Sequence, residues 1–151
     1  MNVEIRKLMP DDVASFMELI HLFRDVLETD KVTSARPEHL QRLLARPDFL
    51  VFGAWSDKQV VGGLTAYVLT QYYSEKPVVY LYDIAVSEPF QRKGIATELL
   101  TKLTQYCRSL GVEEVFVQAY QEDTEAVSFY RATGGAAMSV IHFTYPLHEH
   151  I

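Results

Sequence analysis

Apolar residues recur at helical spacing in four stretches of the chain and at strand spacing in six. Val13, Phe16, Met17, Ile20, Phe23 and Leu27 form one face of a 3.6-residue repeat, and Met9-Pro10-Asp11-Asp12 before them supplies the proline and acids of a helix start. Pro37 opens a second, shorter helix carrying Leu40, Leu43 and Leu44 and closed by Pro47, with a loop expected over 30–35. A third helix is predicted from Ile95 to Leu110, with Ala96, Leu99, Leu100, Leu103, Cys107 and Leu110 on one face and Gly111 as its stop. A fourth starts at Asp123-Thr124-Glu125 and ends before Gly134-Gly135. Strands are predicted at Val3–Lys7, Phe49–Trp55, Val60–Leu69, Val78–Val86, Glu114–Ala119 and Met138–Tyr145. Ser56-Asp57-Lys58-Gln59 makes an antiparallel hairpin of the second and third. The order β-α-α-β-β-β-α-β-α-β implies an α/β chain, a mixed sheet with helices packed on it.

At 151 residues, 48% of them hydrophobic and 23% charged, the chain reads as one domain spanning 1–151, and disorder and collagen-like repeats are excluded. A net charge of -6 argues against broad nucleic-acid binding and is compatible with a cationic partner. The N-terminus has no apolar run of signal-peptide type and no stretch approaches the ~20 apolar residues of a membrane span, so a cytoplasmic location is expected. Cys107 is the only cysteine and falls on an apolar helix face, the setting of a buried small hydrophobe. No spacing of His, Cys and acidic residues suggests a metal site.

Two features carry chemistry. Asp83 interrupts Val78–Val86, and a carboxylate in a central strand must be paired, solvated or used. Directly after that strand, Gln91-Arg92-Lys93-Gly94-Ile95-Ala96-Thr97 leads into the third helix. The first N–H groups of a helix lack intrahelical partners and the dipole adds positive charge there, so such a loop can grip a phosphate. Gly94 and Ala96 let backbone approach the anion, and Arg92 and Lys93 add charge at the rim. The segment is neither a P-loop nor a Gly-x-Gly-x-x-Gly dinucleotide turn.

Gln91-Arg92-Lys93-Gly94-Ile95-Ala96 resembles the acetyl-CoA loop of the GNAT N-acetyltransferases, Gln/Arg-x-x-Gly-x-Gly/Ala. Asp123-Thr124-Glu125-Ala126-Val127-Ser128-Phe129-Tyr130 is similar to that family's Asn-x-x-Ala-x-x-Phe-Tyr helix, with Asp in place of Asn; both cap helices well. Phrases such as Tyr80-Leu81-Tyr82-Asp83-Ile84-Ala85-Val86-Ser87 and Val117-Gln118-Ala119-Tyr120 further resemble the aminoglycoside 3-N-acetyltransferases of GNAT type. The resemblance implies a mainly antiparallel central sheet flanked by helices, with the acetyl-CoA loop between central strand and long helix. It also implies transfer of acetyl from acetyl-CoA to the 3-amino group of an aminoglycoside, the alternatives being acetylation of another small amine or a protein lysine, or a non-catalytic acyl-CoA-binding module. Dimerisation is common in the superfamily.

Carried over to this chain, the resemblance assigns Ile84, Ala85, Val86, Gln91–Thr97, Ala126 and Phe129 to the cofactor. Backbone N–H groups near Ala85 and Val86 would bind the acetyl carbonyl, and Tyr130 would donate a proton to the departing thiolate. The alternative for Tyr130 is a tyrosine packed on the sheet with its hydroxyl satisfied. Asp83 is the catalytic candidate for positioning or deprotonating the acceptor amine, against a carboxylate buried for structure. Tyr120, Glu122 and Asp123 are candidates for the acceptor, although Glu122, Asp123 and Glu125 equally suit a helix cap and first turn. Tyr72 and Tyr73 could line the cleft or cover an edge, and His142 on the last strand reads more readily as structural than catalytic.

Overall fold

A computed structural model describes residues 2–27 and 35–148. Among them five strands form one sheet: β1 (Glu4–Lys7), β2 (Phe49–Ser56), β3 (Gln59–Leu69), β4 (Val78–Val86) and β5 (Glu114–Val117), in spatial order β1-β2-β3-β4-β5. The first three pairings are antiparallel, and only β4 and β5 run parallel. The helices are α1 (Val13–Val26), α2 (Pro37–Leu44), α3 (Ile95–Ser109) and α4 (Thr124–Ala132). Contacts divide the described chain after Gln118 into two compact units, the second containing α4. Among the described residues no helix is long and apolar enough to cross a membrane. The loop expected over 30–35 lies outside the described residues except for Ala35.

Strand alternation sorts the first unit into two layers. Phe49, Val51, Trp55 and Ala85 share a core with Phe16, Leu19 and Phe23 of α1 and Leu40 and Leu44 of α2. On the opposite face, Phe52 meets Tyr106 of α3 edge-on at 5.8 Å. α3 buries Ile95, Leu99, Leu103 and Cys107, each leucine contributing roughly 2 kcal/mol by removing its side chain from water. Leu19, absent from the expected face of α1, is 1% exposed, whereas Met17 and Leu27 are largely open. The buried stripe is thus Phe16-Leu19-Phe23, and the run that the spacing predicts is rotated partly towards solvent.

Leu19 sets a close approach. A Cβ on Gly63 of β3 would lie 2.7 Å from both Leu19 methyls and 2.7 Å from the Phe52 carbonyl oxygen. The leucine could shift, but the carbonyl belongs to the ladder and cannot. Gly63→Ala is therefore expected to cost about 1–3 kcal/mol, read as a drop of several degrees in thermal melting. An unchanged melting temperature would contradict this packing.

Several helix and strand ends depart from the sequence expectation. The hairpin turn is only Asp57-Lys58, with φ of 48° and 67°, because Ser56 and Gln59 already pair in the ladder. Both signs suit the right-handed strand twist of a two-residue turn. β5 ends at Val117 rather than Ala119. Gly111 (φ 73°) ends α3, with the Val112 N–H donating to the Cys107 carbonyl at 3.0 Å. The strand expected over Met138–Tyr145 is not formed: residues 136–148 adopt no regular element. Alternating apolar residues favour a pleated, half-buried surface, but a strand exists only when a ladder partner satisfies its backbone.

Cys107 is 3% exposed, and burial pushes its thiol up to about 11. It is the small hydrophobe that its helix position indicates. The native protein should leave this thiol unmodified by a disulfide reagent at pH 8, with one thiol titrating once the chain is unfolded. Rapid native labelling would count against the burial.

Candidate acetyl-transfer site

A register shift organises the end of β4. Thr65 of β3 pairs with Asp83, but the next residue, Ala66, pairs with Leu81, so Tyr82 is an extra residue on β4. Such a bulge re-aims side chains. Tyr80 is opposite Tyr67 and Ala85 opposite Gly63, all on the face that receives α1. The inserted residue restores Asp83, three positions after Tyr80, to this same face, where regular alternation would have turned it away.

Tyr82 then closes a line of rings across the sheet. Its centroid is 5.6 Å from Tyr67 and 5.5 Å from Tyr80, both edge-on. Tyr80 stacks on Phe116 of β5 at 4.8 Å and 3°, and Tyr67 meets Phe49 at 5.1 Å. The Tyr80 hydroxyl donates to Gln118 Oε1 at 2.9 Å. Burial first, then the neighbouring Tyr82 and Asp83, holds the Tyr67 and Tyr80 phenols above the usual tyrosine range. Both therefore stay protonated donors at neutral pH, and Asp83 is close enough for its charge to be felt by both.

Among the described residues the parallel ladder of β5 covers only Val78 to Leu81 of β4, so no ladder bond reaches Ile84 and Val86 from that side. The Ser87 N–H donates to the Val61 carbonyl at 2.8 Å, so Ser87 faces β3. Antiparallel alternation then turns the backbone groups of Ala85 towards β3 and those of Ile84 and Val86 to the open side. The Val86 carbonyl there accepts a hydrogen bond from Gln91 Nε2 at 2.8 Å. Of the expected carbonyl-binding donors, Val86 faces the open edge, Ile84 joins it, and the Ala85 N–H faces the ladder.

The loop after β4 passes through a short 3-10 turn (Glu88–Phe90) and into α3. Arg92 has φ 62° and Gly94 φ 84°, two left-handed residues flanking Lys93. Arg92 adopts this conformation at a cost of roughly 1–2 kcal/mol, as non-glycine residues do where backbone N–H groups must converge. No side chain caps α3, whose first ladder bond is Glu98 N–H to the Gly94 carbonyl at 3.0 Å. The N–H groups of Ile95, Ala96 and Thr97 precede that bond, and a Cβ on Gly94 would meet nothing within 4 Å. Open donors, a clear approach and the Arg92 and Lys93 charges fit a pyrophosphate such as that of CoA. Gln91 and Arg92 also line an open groove of about 800 Å³ with Glu18, His21, Asp25 and Glu88.

In the second unit, Asp123 caps α4 by accepting the Ala126 N–H at 3.1 Å, the structural role its position allows. Tyr120 and Glu122 stand in the turn before it, their carbonyls accepting from Asp123 and Thr124. Ala126, Phe129 and Tyr130 are half-buried on α4, and the Phe129 and Tyr130 rings meet at 5.3 Å. Gly134 (φ 101°) and Gly135 end the helix: the Gly135 N–H donates to the Tyr130 carbonyl at 2.8 Å, and a Cβ on Gly135 would sit 2.9 Å from that oxygen. His142 lies in the irregular segment 136–148. Tyr72 and Tyr73 are exposed on a loop that Gln71 and Ser74 tie to Glu113. Among the described residues no His, Cys, Asp and Glu cluster is arranged to hold a metal ion. Sequence reasoning passed over Tyr67, Tyr80 and Tyr82 as site residues because only the bulge brings them round Asp83.

The sequence model of the acetyltransferase (GNAT) family matches residues 16–134. The aminoglycoside acetyltransferase meta-AAC0020 from an uncultured soil metagenomic sample is 46% identical and superposes with a TM-score of 0.93, over 97% of each chain; its structure contains trehalose. A further structure of meta-AAC0020 contains sisomicin. Aminoglycoside acetyltransferase HMB0005, also from soil, is 32% identical with a TM-score of 0.92, over 98% of this chain and 100% of that one. The curated relative YycN of Bacillus subtilis (strain 168), an uncharacterized N-acetyltransferase, is 26% identical over 57% of this chain, and the match spans 54% of its own length.

Proposed function

The chain belongs to the GNAT acetyltransferase family, whose members take their acetyl group from acetyl-CoA, and we propose that it acetylates the 3-amino group of aminoglycosides. The observation that carries the acceptor class is the bulge at Tyr82, which brings the Asp83 carboxylate onto an aromatic sheet face beside the open edge of β4. Similarity to meta-AAC0020 supports the same class, and the 3-position rests on the resemblance of phrases such as Tyr80 to Ser87 to the 3-N-acetyltransferases.

When bound, acetyl-CoA supplies an activated thioester. The residues Gln91 to Thr97 hold its pyrophosphate through the α3 N-terminus and the Arg92 and Lys93 charges. Ile84 and Val86 offer N–H groups to a carbonyl oxygen, a preorganised form of oxyanion stabilisation that needs no reorientation during reaction. Asp83 attracts the acceptor's ammonium and accepts its proton directly or through water. Tyr130 on α4 takes the role that the family likeness assigns, donating its phenolic proton to the departing thiolate. The same likeness assigns Ala126 and Phe129 to the cofactor. Acetylation removes one positive charge from a polycationic drug and so weakens its hold on anionic RNA.

The test is an acceptor screen with acetyl-CoA, with the modified nitrogen mapped by NMR. Turnover with sisomicin and acetylation at the 3-nitrogen is the expected result. A product acetylated at another nitrogen would overturn the regiochemistry, and no turnover across several aminoglycosides would overturn the acceptor class.

A further inference from the structure

We propose that Tyr67, Tyr80 and Tyr82 form a platform that recognises the ring of the acceptor, selecting cyclic aminosugars over flexible polyamines. This rests on the acceptor reading given above. The three tyrosines come from two adjacent strands and lean edge-on against one another at 5.5–5.6 Å, and Phe49 and Phe116 extend the line on either side. Tyr67 and Tyr82 are 37% and 45% exposed although their neighbours in the ladder are among the most buried residues of the chain. Large apolar rings left open on an inner sheet face, between strands that continue on both sides, mark a binding surface rather than a packing remnant.

The occupant follows from the chemistry of the patch. Tyrosine faces accept the C–H side of a pyranose or cyclitol ring and attract an ammonium electrostatically. The Tyr67 phenol, held in the protonated form, can donate to a sugar hydroxyl, while the Tyr80 hydroxyl is already committed to Gln118. Asp83, on the same face, supplies the one negative charge that an aminosugar needs and a neutral sugar does not. A rigid chair-form ring is immobilised on such a surface at little entropic cost, whereas an extended polyamine loses many rotors and gains no ring contact.

The experiment compares the wild type with Tyr82→Ala, Tyr82→Leu and Tyr82→Phe. Dissociation constants for sisomicin and spermidine are measured by NMR titration without acetyl-CoA, alongside acetylation kinetics. Sisomicin affinity should fall about tenfold or more in the alanine and leucine variants and stay within about twofold in Tyr82→Phe, while spermidine, which has only the ammonium attraction to lose, should weaken by no more than about threefold in any variant. The leucine variant keeps apolar bulk, so a folding defect confined to alanine leaves the outcome readable. Unchanged sisomicin affinity without the ring, an equal loss for both amines, or no sisomicin binding by the wild type would each overturn the platform. Binding that depends on Tyr82 without any acetyl transfer would instead refute the proposed reaction and leave the platform standing.

Discussion

Asp83→Asn is expected to lower kcat/KM for an aminoglycoside by about 10²–10³-fold, the range lost when a positioned proton acceptor or counter-charge is removed, while CoA affinity stays within about twofold. Asparagine keeps the shape of the side chain, so the bulge and its tyrosines have no reason to rearrange. What disappears is the negative charge facing the acceptor ammonium. If Asp83 mainly attracts the amine, the loss falls on KM. A loss falling on kcat instead identifies proton acceptance. Steady-state kinetics with a parallel CoA titration separates the two, and wild-type turnover in the variant would remove Asp83 from the mechanism.

Gly94→Val should weaken acetyl-CoA binding at least about tenfold with only a modest loss of fold stability. The φ of 84° forces a β-branched residue into the left-handed region, at roughly 1–2 kcal/mol. No neighbouring atom lies within 4 Å of the new Cβ, so the protein itself has room for the side chain. The remaining effect must come from the space above the loop, where the side chain obstructs an approaching phosphate and tilts the N–H groups that begin α3. Isothermal titration with CoA, set beside a thermal melt, distinguishes ligand exclusion from unfolding. An affinity equal to wild type would refute the loop as the pyrophosphate site.

The sequence disclosed those parts of the site that depend on local chemistry. Gly94 before an apolar helix, Gly134-Gly135 after another and Asp123 at a helix start each satisfy a backbone requirement that one residue type meets best, and each occupies that position. The surroundings of Asp83 were not legible in the same way. Strict alternation puts Tyr80 and Asp83 on opposite faces of β4, and only the pairing of Ala66 with Leu81 shows that they share one. A bulge depends on two strands meeting in register, which no single-strand pattern records. The rotation of α1 onto Leu19 is similar: it follows from the depth that Gly63 allows, a property of the partner strand. The unformed strand at 138–145 shows the converse, a strong local pattern with no ladder to join.

The 2.8 Å hydrogen bond from Gln91 to the Val86 carbonyl ties the loop that would grip the nucleotide end of CoA to the strand edge that would orient its acyl end. Two recognition events some distance apart along one donor molecule thereby share a single tether, and by thermodynamic reciprocity each strengthens the other. A shortened donor such as an acetylated pantetheine, lacking the nucleotide, would then be penalised twice: in how often it is captured, and in how well its carbonyl is held once captured.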